Sequence, residues 1–219
     1  MNIKTMLVRL QDALERNDLS EKMVLLPGAA SIPPDATNSK EAINLVVGYN
    51  SSPNSQTALD LTLWIAHQTR LVTRKPVTVK VVYVLDQTPL SNACSTLTQQ
   101  RPLSLLTSTC TTALEPWVLN GGFCQTDLFE QAGSIFKQAC YLAEEWGGNL
   151  KTHIRCGSVS CELREFVEVE AADMLFLGCS SVNHPVVQKL GPDFPCPVLG
   201  IPNTLLVKQI TERTSELSV

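Results

Sequence analysis

Aromatic residues make up only 5% of this 219-residue chain, and no run of about 18 apolar residues occurs anywhere in it. The second absence excludes an ordinary membrane-spanning helix. The 17 lysines and arginines are scattered, and the net charge is −4. A nucleic-acid binder would carry a basic stripe interleaved with aromatics, so DNA and RNA are set aside as partners. None of the eight cysteines forms a C-x-x-C pair, and His67, His153 and His184 are too far apart for zinc-ligand spacing. No phosphate loop of the G-x-x-x-x-G-K-[ST] type, no G-x-S-x-G elbow and no paired catalytic carboxylates are present, so no enzyme is expected. Charged residues follow Met1-Asn2-Ile3-Lys4 where a secretory leader would have an apolar core. The expectation is a cytoplasmic chain with reduced thiols, in which Cys140, Cys156 and Cys196 act as small hydrophobes.

A hydrophobic share of 44% with 17% charged residues is that of an ordinary globular domain. Residues 1–42 divide into two parts. Ile3, Leu7, Leu10 and Leu14 line one face of a short amphipathic helix, with Lys4, Arg9, Asp12, Glu15 and Arg16 mixed elsewhere. Pro27, Gly28, Pro33 and Pro34 then predict a linker. The mixed charges favour docking on protein over lying on a membrane surface.

From Ile43 the pattern changes. Leu45-Val46-Val47-Gly48-Tyr49 reads as a strand covered on both faces, followed by the turn formers Asn50 to Ser55 and a helix with Ala58, Leu61, Ile65 and Ala66 inward. Val77 to Leu85 is a second buried strand. Residues 87–126, rich in Ser and Thr with Arg101 and Glu115 as their only charges, are too long for an ordinary connection and read as a mobile insertion. Phe129, Ala132, Phe136, Ala139 and Ala143 mark the next helix, and the alternation in Leu150 to Cys156 predicts a half-exposed edge strand. Ser160 is placed as the cap of a helix burying Leu163, Phe166 and Val167, before the strands Met174–Gly178 and Pro197–Ile201. Strands alternating with helices predict an α/β, doubly wound parallel sheet over 43–201, with 202–219 as a tail.

Loops leave the first and fourth of these strands at Asn50-Ser51-Ser52-Pro53 and at Gly178-Cys179-Ser180-Ser181. The segments Leu45 to Ala58, Val84-Leu85-Asp86, Gly157 to Leu163, Ala172 to Gly178 and Cys196 to Leu199 together resemble a universal stress protein domain. That resemblance implies a five-stranded parallel sheet in the order 3-2-1-4-5, a homodimer and, in one subclass, ATP held by three elements. These are an Asp after the first strand, a Val on the second and a Gly-x2-Gly-x9-Gly-Ser/Thr loop after the fourth. Here Asn50 stands at the Asp position beside Ser51, Val84 matches, Gly178 and Gly191 match, Ser181 replaces the second glycine and Pro192 replaces Ser/Thr. Asp193 adds negative charge where phosphate would sit, and Pro192-Asp193-Phe194-Pro195 leaves no room for a helix before the last strand. Folds of this kind that adenylate substrates carry a Ser-Gly-Gly-x-Asp-Ser or His-x-Gly-His loop, and neither is present.

The resulting expectation is a homodimeric regulatory module with a degenerate adenine-nucleotide cleft built from Asn50, Ser51, Val84, Gly178, Ser181 and Gly191, taking AMP more readily than ATP. Dimerisation is expected along Val198 to Ile201, which would otherwise be an exposed sheet edge. The alternatives are a ligand-free interaction module docking through the N-terminal helix or the 87–126 insertion and, from a different class, a nucleotide hydrolase or transferase with His184 as a base.

Overall fold

The computed structural model describes residues 8–9, 11–12, 22–28, 42–85, 107–109, 126–146 and 150–201. Its strands are β1 (Val24–Leu26), β2 (Ile43–Gly48), β3 (Val77–Leu85), β4 (Thr107–Thr109), β5 (Leu150–Cys156), β6 (Met174–Leu177) and β7 (Val198–Gly200). Its helices are α1 (Pro53–Thr73), α2 (Thr126–Glu145), α3 (Val159–Val169) and α4 (Pro185–Leu190). One sheet runs in the order β1-β7-β6-β2-β3-β5-β4. Its inner five strands, β7 through β5, are mutually parallel and have the 3-2-1-4-5 order expected from the sequence. Helical crossovers bury both faces of those strands, which is why β2 and β6 are apolar without alternation.

Alternate residues of each strand serve opposite cores. Leu45 and Val47 of β2, Val79 and Val81 of β3 and Phe176 of β6 pack with Ala58, Leu59 and Leu63 of α1 and Ala139 and Ala143 of α2. Val46, Val82, Leu175 and Val198 face Leu163, Phe166 and Val167 of α3 with Val187 and Leu190 of α4. Helix α1 starts where Ser52, in an extended conformation, accepts the Ser55 amide on its side chain, with Pro53 in the first turn. It ends on Arg74 in the left-handed region, whose amide donates to the Arg70 carbonyl.

Four features differ from the sequence expectations. The last strand is not an edge, because β1 pairs antiparallel with β7, Val24 opposite Leu199 and Leu26 opposite Val198. The free edge on which the homodimer expectation rested is therefore filled within the chain. Strand β5 is not an edge either: β4, from within the 87–126 insertion, lies antiparallel along it. Helix α3 is preceded by Ser158, with Ser160 inside its first turn. Helix α4, six residues long, was not anticipated, although His184-Pro185 and Gly191 are start and stop signals for it. Ile3, Leu7, Leu10, Leu14 and the tail 202–219 lie outside the described residues, as do Cys94, Cys110 and Cys124.

A polar layer lies between α3 and the sheet. Lys80 of β3 is buried and pairs with Glu170 just past the end of α3. Asn44 donates its side-chain amide to the Glu170 carbonyl at 3.1 Å, and its backbone exchanges hydrogen bonds with Asp173. His153 of β5 is buried beside the Phe166 ring, with centroids 4.7 Å apart. Burial lowers its pKa from 6.5 to about 4; Glu170 opposes the shift, while Lys80, Lys151 and Arg155 reinforce it. Glu170 is itself desolvated, yet the Lys80 bond and charge hold its carboxyl below the usual range.

These shifts set a pH dependence of stability. Between pH 6.5 and about 4 the unfolded chain takes up a proton at His153 that the folded chain refuses, so stability falls with pH through that window. The Glu170 contribution is lost at lower pH still, as pH falls through its depressed value. From pH 7 to pH 5 the loss from His153 is expected to be about 2 kcal/mol, and His153→Gln should abolish it. Urea midpoints of both proteins at the two pH values check this.

Candidate functional site

The carboxyl ends of β2 and β6 are adjacent, Gly48 lying opposite Leu177. The chain winds from β2 towards β3 and β5 on one side and from β6 towards β7 on the other, so this junction is the topological switch point where open α/β sheets place ligands. Two loops meet there, 49–52 and 178–184.

The first loop is held by its own polar atoms. Ser51 has a φ of 63° and donates its hydroxyl to Gln138 of α2, while its carbonyl accepts Gln56 Nε2 at 2.9 Å. Asn50 is exposed, but its Oδ1 accepts the Ser52 amide at 3.2 Å in an Asx-turn. The Ser55 amide, in the first turn of α1, donates to Ser52 Oγ at 3.3 Å. Tyr49 is buried beside this loop, and desolvation raises its hydroxyl pKa against the lowering effect of Ser51.

Gly178 ends β6 against that same turn. A Cβ on it would lie 2.5 Å from the Ser55 nitrogen and 2.6 Å from the Asn54 carbonyl carbon. Its glycine is thus explained by the close seating of α1 on the strand end. Next to it, Cys179 is a buried free thiol whose pKa burial pushes up to about 11.

The second loop is also closed on itself. Ser181 is exposed, its hydroxyl accepting the Asn183 amide at 3.1 Å and its carbonyl the His184 amide at 3.1 Å. His184 caps α4, with Nδ1 accepting the Val186 amide at 3.3 Å. That occupies the ring nitrogen lone pair a base would use, and the histidine serves as a helix cap.

Gly191 closes α4 at φ 76° and ψ 168°, a region essentially restricted to glycine. Arg164 of α3 then fixes the following turn. It donates to the Leu190 carbonyl at 2.6 Å and the Asp193 carbonyl at 3.0 Å, and its guanidinium sits 5.3 Å from the centroid of the buried Phe194 ring. No helix separates Gly191 from β7, so this turn offers no helix dipole to an anion.

Val84 lies on β3, on the far side of β2 from Gly178, opposite Arg155 of β5 and partly buried against the α3 side of the core. Arg155 bridges to Glu162 at 3.5 Å and Glu165 at 3.4 Å. Glu162 also lies over Gly157, where a Cβ would come within 2.6 Å of its Oε1.

Of the six candidate residues, Asn50, Ser51 and Gly178 meet around the first turn of α1, Ser181 and Gly191 flank α4, and Val84 stands one strand away. Sequence reasoning missed Gln138, Arg155, Glu162 and Arg164, whose partners lie in other elements and leave no local spacing. Among the described residues no group of three or more His, Cys, Asp or Glu could hold a metal ion, and no helix is long and apolar enough to cross a membrane.

Gly178→Ala is expected to lower stability by about 1–3 kcal/mol, since backbone atoms must move to admit the methyl group. Gly133→Ala in α2, where an added Cβ meets nothing within 4 Å, should raise stability by about 0.5–1 kcal/mol. Urea unfolding of the two variants reads opposite shifts of midpoint.

No protein-family model and no curated protein matches the chain. Among solved structures, hypothetical protein MJ0577 is similar at 15% identity over 73% of this chain and 95% of its own, with a TM-score of 0.50. A universal stress protein family member from Burkholderia pseudomallei is 20% identical over 73% of this chain and 95% of its own, with a TM-score of 0.46. A family member from Arabidopsis thaliana, with AMP bound, is 14% identical over 73% and 91%, with a TM-score of 0.44. The likeness to hypothetical protein MJ0577 is one of fold.

Proposed function

We propose that the domain is a non-enzymatic regulatory module whose cleft at the β2–β6 junction takes adenosine, AMP or a cyclic nucleotide in preference to ATP. Solved structures of universal stress proteins include complexes with AMP, dAMP and cAMP, and this reading extends that ligand class to the present chain. One observation carries the discrimination against triphosphate. Four loop amides, those of Ser52, Ser55, Asn183 and Val186, are already taken by Asn50 Oδ1, Ser52 Oγ, Ser181 Oγ and His184 Nδ1. A phosphate chain would have to displace these bonds, and a hydrogen bond to a charged group is worth about 1.5–3 kcal/mol. Asp193 is exposed beside Pro192, which has neither amide hydrogen nor hydroxyl to offer. On the adenosine side, Val84 presents an apolar surface and Asn50 stays exposed, able to trade its Asx-turn for a ribose hydroxyl.

Calorimetry with ATP, ADP, AMP and cyclic AMP, with and without Mg²⁺, tests the reading. AMP is expected to bind at least about tenfold more tightly than ATP, a difference of about 1.4 kcal/mol. The double variant Ser181→Gly, Pro192→Ser should gain at least about tenfold in ATP affinity. Micromolar ATP binding by the unaltered chain would overturn the preference, and conversion of ATP detected by chromatography would overturn the non-enzymatic assignment. Failure of every nucleotide to bind would leave the ligand-free interaction module as the better reading.

A further inference from the structure

Among the described residues three other than glycine have a positive φ: Ser51 at 63°, Arg74 at 55° and Ala171 at 44°. Arg74 and Ala171 follow the ends of α1 and α3, where a left-handed residue is the ordinary way to stop a helix. Ser51 stops nothing. It stands between the end of β2 and the start of α1, in a conformation that glycine adopts freely and that a side chain makes costly. A strained residue beside a cleft persists only where its surroundings hold it there.

Two helices hold this one. Gln138 of α2 accepts the Ser51 hydroxyl, and Gln56, near the start of α1, donates Nε2 to the Ser51 carbonyl at 2.9 Å. Gln138 is exposed and Gln56 half-buried, so neither serves the packing of the core. The inward alternative for the same hydroxyl is left unused. Tyr49 is 2% exposed, its phenol oxygen has no hydrogen-bond partner among the described residues, and Ser51 is near enough to influence its titration. A buried phenol in want of a partner favours drawing the serine inward. Gln138 holds it the other way.

Ser51 is also the central residue of the Asx-turn in which Asn50 Oδ1 accepts the Ser52 amide at 3.2 Å. Its φ therefore sets where the exposed Asn50 side chain points. When Asn50 releases the Ser52 amide to meet a ligand, the turn loses that bond, and the two glutamine bonds remain to keep its shape.

We infer that Gln138 and Gln56 are positioning residues of the cleft: from two different helices they fix Ser51, and through it they hold Asn50 and the Ser52 amide ready for the ribose hydroxyls of a nucleoside. This rests on the nucleotide reading above and adds to it the residues that preorganise the site. Neither glutamine touches the ligand; each acts through Ser51.

The test is adenosine affinity by calorimetry, adenosine having no phosphate for an introduced charge to repel. Gln138→Ala and Gln56→Ala are each expected to weaken binding about fivefold or more. Gln138→Glu keeps an acceptor for the Ser51 hydroxyl and should stay within about twofold of the unaltered chain. Ser51→Ala should lose as much as Gln138→Ala, and the double variant no more than either alone, because both changes remove the same bond. The urea midpoint of Gln138→Ala should match that of the unaltered chain, since its side chain is exposed. Unchanged binding by either alanine variant overturns the proposal, and so does a lowered midpoint of Gln138→Ala, which marks a structural bond. Losses that multiply in the double variant, or a loss shared by Gln138→Glu, show that Gln138 meets the ligand itself and overturn it as well. All of these outcomes are read on a chain that binds adenosine; absence of binding by the unaltered chain overturns the nucleotide reading and this inference with it.

Discussion

The seating of the first turn of α1 on Gly178 is the contact around which the rest of this domain is arranged. It joins the end of β6 to the start of the helix that follows β2, and a methyl group at position 178 would strike backbone on the facing turn. Because that turn is capped by Ser52 and braced by Ser55, the loop between β2 and α1 has little freedom left. The geometry of the cleft follows. The same glycine that a binding motif would use for close approach to a phosphate is here used for close approach of a helix, and the Ser52 and Ser55 amides of the facing turn are taken by side chains of their own loop. Packing and recognition compete for the same few ångströms, and in this chain packing has them.

On the other side of the sheet, polar residues perform a comparable task. Lys80, Asn44 and Asp173 anchor the end of α3 and the turn into β6. Removing one partner of a buried ion pair is costlier than replacing both by apolar groups, so this arrangement secures the position of α3 more than it adds to stability. Arg164 extends the same helix's influence to the turn after α4. Helix α3 thereby couples the strand N-termini, through Glu170, to the loop region at their C-termini, through Arg164.

How much of this could be read from the sequence depended on the range of the interaction involved. Four of the five central strands were legible because parallel strands buried on both faces are apolar runs, β5 was legible by its alternation, and α1 was legible because Ser52-Pro53 is a local start signal. Strands β1 and β4 were not, since three residues are too few to show a period and each depends on a partner far along the chain. The positions of Asn50, Gly178, Ser181 and Gly191 were legible as a motif with substitutions. That their neighbouring amides are satisfied by Asn50, Ser52, Ser181 and His184 was not, because a serine in a loop reads equally as a ligand donor and as a cap. Arg164 and Glu162 were hidden for a simpler reason: a charged residue on an amphipathic helix looks the same in sequence whether it faces water or clamps a loop.

The pairing of β1 with β7 also has a consequence in time. Val24 and Leu199 are neighbours in the sheet but stand near opposite ends of the chain. On a ribosome adding roughly 5–20 residues per second, β1 emerges on the order of ten seconds or more before the strand it pairs with has been made. For that interval the sequence Met23-Val24-Leu25-Leu26 has no place to dock, and the central strands must assemble without it. Of the described strands, the one that covers β7 is synthesised first, and it can take its place only after the carboxyl-terminal part of the sheet has been made.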